Sequence, residues 1–149
     1  MDYFKHLKLK YNKEELKESL KDSILINSSH LSQNNAWLYS IVNKNKIIDL
    51  YNQVVNLTGS NDIEIRYVVQ KANCEVKIHS DLTHLCAINI MLSNNNGPLI
   101  LENKEINYEC LFFDTQKKHS VPSHPNDRIV LKFGIRDKTY VEASRFTPI

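Results

Sequence analysis

From residue 61 onward the chain is cut into short stretches of alternating side chains. In IEIRYVVQ (63–70), Ile63, Ile65, Tyr67 and Val69 fall on one side of an extended strand. CEVKIH (74–79), HLCAINIMLS (84–93), PLILE (98–102), YECLFFDT (108–115), RIVLKFGIR (128–136) and TYVEASRF (139–146) repeat the pattern. SNNNG (93–97) reads as a turn, with Gly97 free to take positive φ, and QKKHSVPSHPND (116–127) reads as a loop. HLCAINIMLS is apolar on both faces, which predicts a strand buried between two layers. Seven or eight such strands in under ninety residues must close on themselves or stack, so a sandwich or small barrel is expected.

The first sixty residues read as helical support for that β core. NKEELKESLKDSIL has a cap at Asn12, acids in its first turn and an apolar stripe at Leu16, Leu20 and Ile24. The polar stretch NSSHLSQNN interrupts it. AWLYSIVNKNKIIDLYNQVVNLTG then predicts two helices or one interrupted helix, with Trp37, Ile41, Ile47, Leu50 and Val54 inward and Gly59 as the stop. At 149 residues the chain suits a single domain, 1–149, with helical support at 1–60 and the β core at 61–149.

A formal net charge of +2 is too small to argue for a nucleic-acid or acidic-membrane partner. No apolar run approaches the roughly twenty residues of a membrane span, and the N-terminus lacks the apolar core of a signal peptide. The three cysteines, Cys74, Cys86 and Cys110, are odd in number and have no CxxC spacing. They suit a reducing, cytoplasmic setting.

One short stretch carries potential chemistry. In EVKIHSDLTHL (75–85), His79 and Asp81 are two residues apart, so a strand projects both to one face. Together they offer an imidazole nitrogen and a carboxylate oxygen to one ion. A third ligand must come from elsewhere, and His84, His119 and His124 are the candidates. Two histidines and one carboxylate on one octahedral face leave positions open for substrate, as in non-haem Fe(II) oxygenases. Arg128, nine residues beyond His119, could clamp a dicarboxylate through its fork of donors.

In their order, RYVVQ, HSD, CAINIMLSNNNGPLIL, FFDTQKKHSV and RIVLKFGI resemble the Fe(II)- and 2-oxoglutarate-dependent dioxygenases, especially the small prolyl-hydroxylase-like branch of phages and bacteria. The likeness spans about residues 62–136. It implies a double-stranded β-helix, a jelly-roll barrel backed by N-terminal helices. It implies His79, Asp81 and His119 as iron ligands and Arg128 as the clamp on the distal carboxylate of 2-oxoglutarate. It also implies an enzyme that uses O2 and converts 2-oxoglutarate to succinate while hydroxylating a C–H bond. Two features depart from relatives. Val130 stands where some carry a hydroxyl residue two positions after the arginine, and QKANC replaces a Pro-Gly turn before HSD. The clamp's second contact is therefore sought at Tyr67 or Asn89.

His84 and His124 are read as bystanders, and Cys86 and Cys110 as small buried apolar residues. Two other readings remain. One is a cupin-type metal enzyme without 2-oxoglutarate. The other is a non-enzymatic β-sandwich module for binding or structure, viral in one version, in which the three ligand residues would be scattered. The substrate has no signature; a protein side chain or a free amino acid is the expectation.

Overall fold

A computed structural model describes residues 3–27, 37–94 and 97–147. In chain order the elements are β1 (Phe4–His6), α1 (Lys13–Lys21), β2 (Ile26–Asn27) and β3 (Trp37–Ile41). A 3-10 turn (Lys44–Ile47) then leads into α2 (Ile48–Thr58). After it come β4 (Ile63–Gln70), β5 (Val76–His79), β6 (Cys86–Met91), β7 (Leu99–Leu101) and β8 (Lys104–Ile106). β9 (Cys110–Phe113), β10 (His119–Val121), β11 (Arg128–Ile135) and α3 (Tyr140–Ser144) complete it.

The strands form two antiparallel sheets, one ordered β1-β9-β6-β11-β4-β3-β2 and the other β5-β10-β7-β8. β4 and β11 pair over their whole length, from Arg128 opposite Gln70 to Ile135 opposite Ile63. Pleating then sorts their side chains. Val68, Val130 and Met91, in register across three strands, face the smaller sheet. There Val130 and Met91 pack with Val76, Leu99, Leu101, Phe113 and Val121 in the inner core. The alternate positions Ile65, Tyr67, Ile88, Leu131 and Phe133 face outward and bury Leu16, Leu50 and Val54 of the helices. A strand sandwiched this way is apolar on both faces, which is why every residue of β6 is buried. The result is a mostly β jelly roll with few helices.

Local chemistry explains most element ends. Asn12 caps α1 by accepting from the Glu15 amide at 3.1 Å. Gly59 ends α2 at φ 71°, a conformation that a side chain there would strain against Phe146. The β7–β8 turn places Glu102 and Asn103 at φ 46° and 68°. Consecutive left-handed residues match the twist of a two-residue hairpin, and here no glycine supplies them.

Several expectations change, among them Ile24 and Ile41, which are exposed rather than inward. Residues 37–41 form a strand, paired with β4 from Trp37 opposite Gln70 to Ile41 opposite Arg66, so the first sixty residues are only partly helical. Residues 139–146 hold α3, because Thr139 and Glu142 close a reciprocal capping box. The loop at 116–127 contains β10. Among the described residues Gly59 is the glycine with positive φ, and Gly97 is not. Most of the NSSHLSQNN break and the centre of the SNNNG turn lie outside the described residues.

Among the described residues no helix is long and apolar enough to cross a membrane. Cys86 and Cys110 are buried, and burial pushes both thiols up to about 12. Only thiolates alkylate readily. Iodoacetamide at pH 8 is therefore expected to label Cys74 alone in the folded protein and all three cysteines in urea, as read by intact mass. Equal labelling of Cys110 in the folded protein would contradict this burial.

Candidate metal centre and adjoining cavities

His79 ends β5 and His119 begins β10, and the two are direct cross-strand partners. Each ring is fixed from behind. His79 Nδ1 lies 2.7 Å from the Lys77 carbonyl and His119 Nδ1 lies 2.8 Å from the Lys117 carbonyl. A carbonyl only accepts, so each Nδ1 carries the proton and donates, and a neutral ring turns a bare Nε2 forward. The two Nε2 atoms stand 3.3 and 3.2 Å from the same oxygen, Asp81 Oδ1. Asp81 is held by its own amide, which donates to the Thr115 carbonyl at 3.0 Å. One ligand atom from each of the three lies within 4.8 Å of the others. Two nitrogen lone pairs and a carboxylate oxygen repel one another unless positive charge sits between them. Protons or a shared cation would supply it, and this donor set suits a divalent transition metal.

The second Asp81 oxygen is occupied by Lys132 Nζ at 3.0 Å. Burial alone would raise this carboxyl. Lys132, and then His119 and His79, outweigh burial and hold it well below the usual carboxylate range. His84 is buried beside the triad, not in it. Its ring fills the space where a Cβ on Gly134 would stand. Its Nε2 is 3.3 Å from Glu64 and its Nδ1 3.9 Å from Asp81 Oδ2. Burial, aided by Lys132, lowers its pKa and favours the neutral ring. His124 is half-buried on the far side of the β11 approach, accepting from the Asn126 amide.

Behind the triad an inner cavity of about 50 Å³ runs between the sheets. One water needs roughly 10–15 Å³ on such a scale, so it holds several waters or a slim chain of similar size. Its walls include His79, Asp81, His119, Asn89 and Arg128. Arg128 is 4% exposed. No carboxylate among the described residues pairs with it, since Asp127 goes to Lys71 at 3.2 Å and Asp114 accepts from the Gln116 amide at 3.0 Å. One partner it does have is Tyr108, whose hydroxyl accepts from Arg128 Nη2 at 2.7 Å and from Asn89 Nδ2 at 3.2 Å. With both lone pairs engaged, the Tyr108 O–H proton remains to be donated. Arg128 Nε and Asn89 Oδ1 are buried without a hydrogen-bond partner among the described residues. An unpaired buried cation and orphaned polar atoms are costly unless a ligand satisfies them. A carboxylate is the group that fits a guanidinium and a donating hydroxyl.

Tyr67 does not belong here. It is on the opposite face of β4, in register with Leu131, and its hydroxyl donates to the Leu16 carbonyl of α1 at 2.8 Å. Tyr108, not Tyr67, is the tyrosine whose hydroxyl reaches Arg128. Sequence reasoning missed Tyr108 and Lys132. A polar residue two positions from Val130 on a buried strand is a usable signal for Lys132, because it must share the face of Arg128. No local pattern marks Tyr108.

An outer cavity of about 460 Å³ opens on the solvent side of the triad. It shares Trp37, Val68, His79, Asp81 and Lys132 with the inner one, so His79 and Asp81 stand where the two meet, while His119 lines the inner one.

No protein-family model matches the sequence, and no curated protein does. Among solved structures the chain is similar to the viral collagen prolyl hydroxylase of Paramecium bursaria Chlorella virus-1, solved as a complex with 2-oxoglutarate. The identity is 13% and the TM-score 0.64, covering 91% of this chain and 96% of that one. It is similar to HygX from Streptomyces hygroscopicus, solved with nickel and 2-oxoglutarate, at 8% identity and TM-score 0.61, over 87% of this chain and 82% of that one. A predicted oxalate decarboxylase of Thermotoga maritima follows at 13% identity and TM-score 0.54, over 78% and 95%. These likenesses define the class: a double-stranded β-helix. Prolyl-4-hydroxylases and 2-oxoglutarate–Fe(II) oxygenases recur among these structural neighbours, and at 8–13% identity what they share with this chain is the fold.

Proposed function

We propose that this chain is an Fe(II)- and 2-oxoglutarate-dependent oxygenase that hydroxylates a small substrate. The observation that carries this reading is Arg128, a buried guanidinium without a counter-ion among the described residues, in the cavity that also holds His79, Asp81 and His119. A triad alone would suit many metal proteins. A cupin-type enzyme without cosubstrate leaves Arg128 unexplained, and a purely structural sandwich leaves the convergence of the three ligands unexplained.

Iron and 2-oxoglutarate, when bound, supply the oxidising chemistry: with O2, the cosubstrate becomes succinate and carbon dioxide while a C–H bond becomes C–OH. The residues set the stage for it. His79, Asp81 and His119 would hold the iron through Nε2, Oδ1 and Nε2, their rings aimed by the Lys77 and Lys117 carbonyls. Lys132 restrains Asp81 by its other oxygen. Arg128 and Tyr108 would grip the distal carboxylate of 2-oxoglutarate, with Asn89 steadying the Tyr108 hydroxyl. Val121, Val130 and Phe113 line the space between and keep it dry. Trp37 stands at the mouth, where substrate would enter.

Anaerobic titration of the purified protein with Fe(II) and then 2-oxoglutarate is expected to develop a metal-to-cosubstrate charge-transfer band. Admitting oxygen should bleach it and yield succinate even without substrate. Absence of both the band and the succinate would refute the oxygenase reading.

A further inference from the structure

The outer cavity has a cation that the triad and the cosubstrate leave unused. Arg66 lines it from β4. Its Nε is tied to Glu64, and its guanidinium lies 4.5 Å over the ring of Tyr39. Glu64 is itself shared, its second oxygen lying 3.4 Å from Arg136 Nη1. The guanidinium is thus locked by one edge and one face. Its two terminal Nη groups have no hydrogen-bond partner among the described residues. Two parallel N–H donors on a rigid plane match the two oxygens of a carboxylate. Trp37 and Val68 form an apolar wall and Leu82, 94% exposed, the rim, while the triad side is polar, with His79, Asp81, His84 and Lys132. A volume of about 460 Å³ falls in the range of small-molecule sites, roughly 300–1,000 Å³.

We propose that this outer cavity binds a small aliphatic carboxylate, with Arg66 gripping the carboxylate and the aliphatic part lying along Trp37 and Val68 beside the triad. That this ligand is the substrate class rests on the oxygenase reading; that it binds there does not. The side chain of Arg66 is recessed, 28% exposed, so a small molecule reaches it more readily than a residue of a folded protein.

Trp37 is the one tryptophan of the chain and reports on the cavity by fluorescence. The protein is titrated with hexanoate, hexanamide and hexyl phosphate, first with Mn(II) and saturating 2-oxoglutarate present so that Arg128 is occupied, then metal-free. Hexanoate is expected to bind at least tenfold more tightly than hexanamide. Arg66→Gln should abolish that preference and keep its 2-oxoglutarate affinity, and Arg66→Lys, with charge but no fork, should keep part of it. Equal binding of the amide, tighter binding of hexyl phosphate, or a preference that survives in Arg66→Gln overturns the proposal. The failures separate cleanly. Carboxylate preference through Arg66 without Mn(II) or 2-oxoglutarate binding supports this site and sinks the oxygenase reading. Loading with both but no carboxylate preference does the reverse.

Discussion

His119→Ala is expected to weaken divalent metal binding on the order of 100-fold, at least as much as loss of an outer-shell partner costs a metal site. The backbone of β10 stays paired to β5 and β7 whatever its side chain, so the sheet should survive. What disappears is one of three ligand atoms, together with an edge contact to Phe113 at 5.5 Å. Thermal unfolding reads the difference without any turnover. Mn(II) at 100 times its Kd stabilises the wild type by about 2.7 kcal/mol through mass action. For a chain of this size that is a rise in Tm of roughly 5–10 °C. The same Mn(II) concentration would give the variant about 0.4 kcal/mol. An undiminished shift in His119→Ala would remove His119 from the ligand set. Acid acts on the same site. Asp81 holds its proton less readily folded than unfolded, so its contribution is present above the ordinary carboxylate value of about 4 and is lost as pH falls through the lower folded one.

The legible parts of the fold were those where local pattern and tertiary position agree. HLCAINIMLS is apolar on both faces because it lies between two cores. His79 and Asp81 were legible as neighbours in sequence but not through pleating: β5 ends at His79, and Asp81 is placed beyond it by its amide's bond to the Thr115 carbonyl. WLYSI misled because five residues are too few to separate the periods: Trp37 and Ile41 fit a helix at i and i+4 and a strand at alternate positions. Its pairing with β4 is a long-range fact. TYVEAS misled differently. Its β-branched and aromatic residues suggest a strand, but Thr139 and Glu142 have capping-box spacing, a sequence signal that outranked propensity. Tyr67 failed on parity. Most of β4 is buried on both faces, so hydrophobicity does not say which side faces the cavity, and only the register with β11 decides. Tyr108 was invisible because its role is defined by two partners, Asn89 and Arg128, that reach it from other strands.

Arg128→Met separates the two demands on the inner cavity. In the ligand-free protein, Arg128 is a desolvated cation whose Nε has no hydrogen-bond partner and which no carboxylate balances among the described residues. Replacing such a group with an apolar side chain of similar length is often neutral or stabilising. The variant is therefore expected to melt no lower than wild type when free of ligand. Its affinity for 2-oxoglutarate should fall about 100-fold, the scale of losing a buried charge-assisted pair. Mn(II) affinity should be unchanged, because none of the triad's donors touches the guanidinium. Tyr108→Phe should lose less, roughly tenfold, since it removes one neutral donor and leaves the charge. A ligand-free thermal melt, calorimetry with Mn(II) on the metal-free proteins and calorimetry with 2-oxoglutarate on the Mn(II)-loaded ones measure these in turn. A destabilised Arg128→Met with normal 2-oxoglutarate affinity would mean that the arginine holds the sheets together. A stable variant that binds metal and ignores 2-oxoglutarate would mean that the fold tolerates an unfavourable buried charge because the cosubstrate requires it, the trade-off expected of a binding site.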